Sequence, residues 1–249
     1  DIEAGYTGPD RADLALRQFH PDYVVVGVSF TDSTDYAFYV PFAHDDGKNV
    51  DDLPRVARML WVMLNTGRGV AHNHSYELKG MSQFFRLHLW NDMTIVPGTA
   101  ETFSEQVRRA KGLYPILSDT QLEVWLAAAY NPVTVGKGLK QVAKHAFGLV
   151  MTEFSSLFPV ELTATELKKA GGVQPVSELG PLMKRGKGRF NRFNTRNTDS
   201  SVVISYACED SVACLMIHHE HFDSVKNEFI FKLEMQLMPV LVEMEMGPC

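Results

Sequence analysis

Cysteine is scarce. Cys208, Cys214 and Cys249 are an odd set with no metal-site spacing. They make no disulfide framework and no zinc ribbon, and they fit a reduced cytosolic compartment. Long apolar runs are missing too. No stretch approaches the about 20 residues that span a bilayer, and no signal-peptide pattern is visible, so no membrane partner is expected. An excess of positive charge is also lacking. Lys and Arg number 24 against 30 Asp and Glu, a net charge of −6. The chain does not carry the overall basic signature of a nucleic-acid binder, and any such role must rest on local clustering. No internal repeat is evident.

What is present describes a globular chain. At 249 residues, 45% apolar and 22% charged, it can bury one substantial α/β core. Tyr23–Phe30 is a β-branched strand, and Tyr36–Pro41 pairs back on it across a polar turn. Asp52–Asn65 carries Leu53, Val56, Leu60 and Leu64 on one stripe and predicts an amphipathic helix. Gly69–His72 predicts a short strand, and Asn73 is placed to cap the helix that follows. Ile116–Ser118 predicts a strand, with Asp119 capping the next helix. Leu139–Phe147 predicts a short helix stopped by Gly148. Tyr206–Phe222 and Asn227–Met246 predict two long helices.

The acids carry the functional signal. Asp1 and Glu3 alternate at strand spacing and share a face. Tyr206 and Asp210 are four apart, one turn on one helix face. His72-Asn73-His74-Ser75-Tyr76-Glu77 lies between them. Three acidic sites far apart in sequence suit a two-metal phosphodiester site, whose divalent ions sit roughly 4 Å apart and need several carboxylates. The same residues also have plainer readings, as helix faces, a cap at Asn73 and a dipole-favoured first-turn acid at Glu77. Positive charge clusters in one segment: Lys184, Arg185, Lys187, Arg189, Arg192 and Arg196. Interleaved with Phe190 and Phe193, it reads either as a solvated loop or as a track for a DNA backbone.

Asp1-Ile2-Glu3, Asn73-His74-Ser75-Tyr76-Glu77 and Tyr206-Ala207-Cys208-Glu209-Asp210 resemble, in order and spacing, three exonuclease motifs. These belong to the 3′–5′ proofreading domain of family-A, DNA polymerase I-like polymerases, the Tyr-containing branch of the DEDD exonucleases. Tyr39-Val40-Pro41-Phe42-Ala43-His44, Ser118-Asp119-Thr120 and Met238–Glu245 are similar to further parts of that family. The resemblance covers nearly the whole chain. It implies a ribonuclease H-like exonuclease fold, a mixed central sheet flanked by helices. The exonuclease domain would be residues 1–225, with 171–201 a basic irregular insertion. Residues 226–249 would form a helix leading toward a polymerase domain of the same parent chain. An ammonium on Asp1 would oppose bound metals, so a longer parent chain is expected.

The resemblance implies a site as well. Asp1, Glu3 and Asp210 would hold one divalent ion, Mg²⁺ or Mn²⁺, and Asp1 with Glu77 a second. Tyr206 and Glu3 would orient the attacking water. Asn73 would orient the motif or the substrate, and Phe154, in Thr152-Glu153-Phe154, would stack on the single-stranded DNA 3′ end, unless it is simply core. Arg189 and Arg192 would contact the phosphates. One departure is Glu77, where the family usually carries Asp. It keeps open a weakened or inactive domain that serves as a DNA-binding platform. A free-standing RNA-trimming nuclease is a third reading. His72 and His74 have no evident role at a hard-metal site and are expected to be cap or surface residues.

Overall fold

The computed structural model describes residues 1–7, 18, 22–65, 69–89, 116–128, 136, 138–158, 161–174 and 194–246. Five strands are described: β1 (Ile2–Tyr6), β2 (Tyr23–Phe30), β3 (Phe38–Pro41), β4 (Gly69–Ala71) and β5 (Ile116–Asp119). The helices are α1 (Leu53–Leu64), α2 (His74–His88), α3 (Thr120–Ala128), α4 (Leu139–Phe147), α5 (Ala164–Lys169), α6 (Ser200–Val225) and α7 (Phe229–Met246). The architecture is mixed α/β. Of the basic segment, Lys184, Arg185, Lys187, Arg189 and Arg192 lie outside the described residues, while Arg196 is described and pairs with Asp45.

The local rules that shape these elements are visible in the caps. Asp52 accepts from the Arg55 backbone N–H and starts α1 with a proline in its first turn. Asp199 accepts from Ser201 N–H and starts α6. Thr163 and Glu166 form a capping box on α5. Gly148, left-handed at φ 70°, ends α4 where expected. The β3 strand begins at Phe38, two residues later than expected, because Tyr36 instead donates from its phenol to Asp32 across the polar turn.

Strands β1, β2 and β3 form one antiparallel sheet in that order. One face carries Ile2, Val25 and Val28 into the main core, against Ala57 and Leu60 of α1, Leu78, Met81, Phe84 and Phe85 of α2, and Val242 of α7. Helix α6 covers the other face. There Ser29 donates to the Ala207 carbonyl and shares a hydrogen bond with Ser211. By length and composition α6 could cross a membrane. Here it is packed by β2, β3, β4, α3 and α4.

The expected single central sheet is not what the described residues form. Strands β4 and β5 pair in parallel as a separate two-stranded sheet. Part of the outer edge of β1 is engaged elsewhere. The Ile2 N–H donates to Glu77, Thr195 Oγ1 donates to the Ala4 carbonyl, and the Asn194 amide exchanges two hydrogen bonds with Tyr6. Those groups are not open to a ladder with β4.

Candidate active site

Strand alternation sends Ile2 into the core with α1 and α2 and turns Glu3 toward α6. Gly80 lets β1 approach α2 closely, because a side chain there would collide with Ile2. Glu77 lies one turn before Gly80 on the same face of α2, which is how its carboxylate reaches the Ile2 N–H. Asp210 comes from the middle of α6. The result is a cavity of about 530 Å³ lined by Asp1, Glu3, Asn73, Glu77, Phe154, Tyr206 and Asp210, among others. Every described residue expected at the site from the sequence lies on this one cavity.

The carboxylates are crowded and dry. Glu3, Glu77 and Asp210 are 5%, 5% and 6% exposed. Burial is the main cause that raises all three above the usual carboxylate range. Repulsion by Asp210 and then Glu77 raises Glu3 further. Glu77 is pushed up to about 7 by burial, opposed by the chain's ammonium and the Ile2 N–H. Its Oε2 is buried without a hydrogen-bond partner. Such a cluster is short of positive charge.

Besides the Asp1 ammonium, one side-chain cation answers part of that need. Lys140, in the first turn of α4, places Nζ 3.2 Å from Asp210 Oδ1 and 4.0 Å from the centre of the Tyr206 ring. It also donates to the Thr152 carbonyl. The Asp210 contact is an ion pair not aligned as a hydrogen bond, so Oδ1 still lacks an aligned donor. The Tyr206 phenol hydrogen-bonds to the Asp210 carboxylate from one turn away, as the i,i+4 spacing predicts. Burial holds that phenol far above its usual pKa, so it stays a donor.

The loop carrying Phe154 is clamped to α6. Glu209 accepts from both the N–H and the hydroxyl of Thr152, at 2.8 and 3.1 Å. Phe154 then packs at 5.8 Å from Tyr206 and 5.2 Å from Phe158, ring centre to ring centre. It is half-buried: one side packs against Tyr206 and Phe158 and another lines the cavity.

Asn73 occupies the N-cap position of α2 but does not cap with its side chain. It is left-handed, at φ 63° and ψ 56°, a conformation that Asn tolerates and that recurs at functional sites. Asp119 satisfies the turn in its place, accepting from the N–H groups of Asn73, His74 and Gln121. Asp119 is therefore a cap, as expected. His74 is no surface residue. It is 1% exposed with Nδ1 at the Ser118 carbonyl, and burial lowers its pKa to about 4. His72 is half-buried, contacts Thr120 and lines the cavity.

Lys140, Glu153, Gln121 and the Glu209 clamp were not legible in the sequence. A lysine in the first turn of an amphipathic helix reads as solvated. Only the packing of α4 on α6 brings it to Asp210.

Hard oxygen donors, an unpartnered buried Glu77 Oε2 and carboxylates that resist ionisation fit divalent cations such as Mg²⁺ or Mn²⁺. The ligand set is not drawn together: among the described residues no three His, Cys, Asp or Glu side chains converge at coordinating distance. No family model and no curated protein matches this chain.

Proposed function

We propose that this chain is a metal-dependent 3′–5′ exonuclease acting on DNA 3′ ends, with a ribonuclease H-like fold, working as the proofreading domain of a polymerase I-like enzyme. One observation carries the reading. Carboxylates from β1, α2 and α6, spanning more than 200 residues of the chain, line one cavity with a phenol and an aromatic ring. A structural role for such a cluster is hard to argue, because burying like charges together costs stability.

Asp1, Glu3, Glu77 and Asp210 would hold two Mg²⁺ or Mn²⁺ ions. When bound, these ions lower the pKa of water and stabilise negative charge on a leaving oxygen. The chain's own groups do the rest. The Tyr206 phenol, kept protonated, donates to Asp210 and accepts from a water beside it, which orients that water. Glu3, across the cavity, accepts from that water. Phe154 offers one face to the terminal base, a contact that tolerates any sequence. Asn73, which makes no side-chain cap hydrogen bond and lines the cavity, orients the substrate. The basic segment with Arg189 and Arg192 supplies phosphate contacts. Helix α7 exposes Phe229, Ile230, Val240, Leu241 and Met244, a face suited to a polymerase domain of the same parent chain.

The test is incubation with 5′-labelled single-stranded DNA and Mg²⁺ or Mn²⁺. A ladder shrinking from the 3′ end is expected, absent with EDTA and absent in Asp210→Ala. No cleavage by the folded protein with either ion would sink the reading. The second reading, a DNA-binding platform that no longer cuts, is favoured by the Lys140–Asp210 ion pair, which ties up one ligand. In that case DNA is bound and not shortened.

A further inference from the structure

Lys140 is the one Lys or Arg among the described residues lining the acidic cavity, which also carries Asp1, Glu3, Glu77, Glu153 and Asp210. Its ammonium is held from three sides, by the Asp210 carboxylate, the Thr152 carbonyl and the face of Tyr206. The Thr152 contact is not incidental. Thr152 is itself clamped by Glu209, the neighbour of Asp210 on α6, so Lys140 is positioned by the same helix turn that presents the carboxylate. The side chain is 20% exposed and Asp210's is 9% exposed, so solvent screens the pair only in part.

We propose that Lys140 is the site's built-in counter-ion: it occupies Asp210 while no divalent cation is present and must release that carboxylate when one binds. Metal affinity is then set by competition with an internal ammonium. This inference rests on the metal-site reading above. The lysine keeps the crowded carboxylates tolerable in the metal-free protein. It also makes loading weaker than the acids alone would give, because the ion pair has to be broken first. Both effects follow from opposite charges at close range in a partly dry site.

Competition predicts a gain of binding on removal of a cation, which a merely structural lysine would not give. Mn²⁺ alone is titrated calorimetrically into the full chain, its Lys140→Met and Lys140→Gln variants, and Lys140→Arg. Met and Gln remove the charge, and Gln can still donate to Thr152, which guards against loss of folding in Met. Both neutral variants are expected to bind Mn²⁺ about tenfold more tightly. Lys140→Arg is expected to stay near the parent value. Binding only by the neutral variants would also support the proposal. If the parent binds Mn²⁺ and neither folded neutral variant binds it more tightly, the counter-ion role is wrong and the exonuclease reading stands. If none of the four binds Mn²⁺, both fall.

Discussion

The ring of Tyr39 lies directly over Gly27, in the space that a side chain at Gly27 would fill. These two residues register β3 against β2 next to Glu3, whose strand partner is Gly27 itself. Tyr39 is fixed from its far end, with its hydroxyl 2.8 Å from His44 Nε2. His44 in turn reaches the Thr198 carbonyl just before α6. The strand that presents Glu3 and the helix that presents Asp210 are thus tied through one aromatic ring.

Gly27→Ala should displace that ring. The expected cost is about 1–3 kcal/mol, typical of overpacking, read by chemical denaturation. The proposed exonuclease activity should fall by more than the loss of folded protein explains, because Glu3 shifts with its strand. An unchanged denaturation midpoint would show that Tyr39 moves aside freely.

Glu77 should give stability a distinct pH dependence. Its folded pKa is raised from 4.5 to about 7. Between those values the folded chain keeps a proton that the unfolded chain has released, so stability is full below about pH 4.5 and falls as pH rises through about 7. At about 1.4 kcal/mol per unit the loss is of order 3 kcal/mol. Glu77→Gln should reduce that slope in the metal-free protein, leaving the part that Glu3 and Asp210, raised in the same direction, contribute. Mn²⁺ should flatten it in the parent chain by stabilising the ionised form. Thermal melts from pH 4 to 8, with EDTA and with Mn²⁺, check both.

Tyr206→Phe removes the hydroxyl beside Asp210 and keeps the ring under Lys140. Activity should drop about 100-fold, as for loss of a positioned proton donor, while stability changes by about 1 kcal/mol or less. Single-turnover cleavage alongside thermal melts separates the two. A drop in stability with no change in rate would make the phenol structural.

Phe154 serves both core and cavity, and two substitutions separate the roles. Phe154→Leu keeps most of the packing on Tyr206 and Phe158 but loses the flat face. Its affinity for single-stranded DNA should fall about tenfold, consistent with stacking worth about 1–3 kcal/mol, with little change in melting temperature. Phe154→Ala should lower both. Fluorescence anisotropy in EDTA, where no cleavage occurs, gives the affinities. Equal affinity in Phe154→Leu would rule out stacking at this position.

Much of the fold could be read directly. The β-branched run gave β2 to the residue, the apolar stripe placed α1, and Gly148 stopped α4, while α6 starts at Ser200, six residues before the expected Tyr206. These depend on neighbours a few positions away, which the chain states locally. The placement of Tyr206 and Asp210 was legible for the same reason, since a helix fixes what lies four residues on. Three local readings failed where a distant group intervened. Asp119 took over the capping of α2 from Asn73, Ser118 drew His74 inward, and Asn194, Thr195 and Glu77 took some of the edge groups of β1 that a continuous sheet draws on.

The sequence by itself determined the elements and the identities of the acids, because periodicity and capping are short-range. Only the tertiary structure decided that Glu3, Glu77 and Asp210 share one dry cavity, that Glu77 resists ionisation, and that Lys140 sits on Asp210. Desolvation and charge pairing depend on which surfaces pack together, and that is set by contacts between residues far apart in the chain.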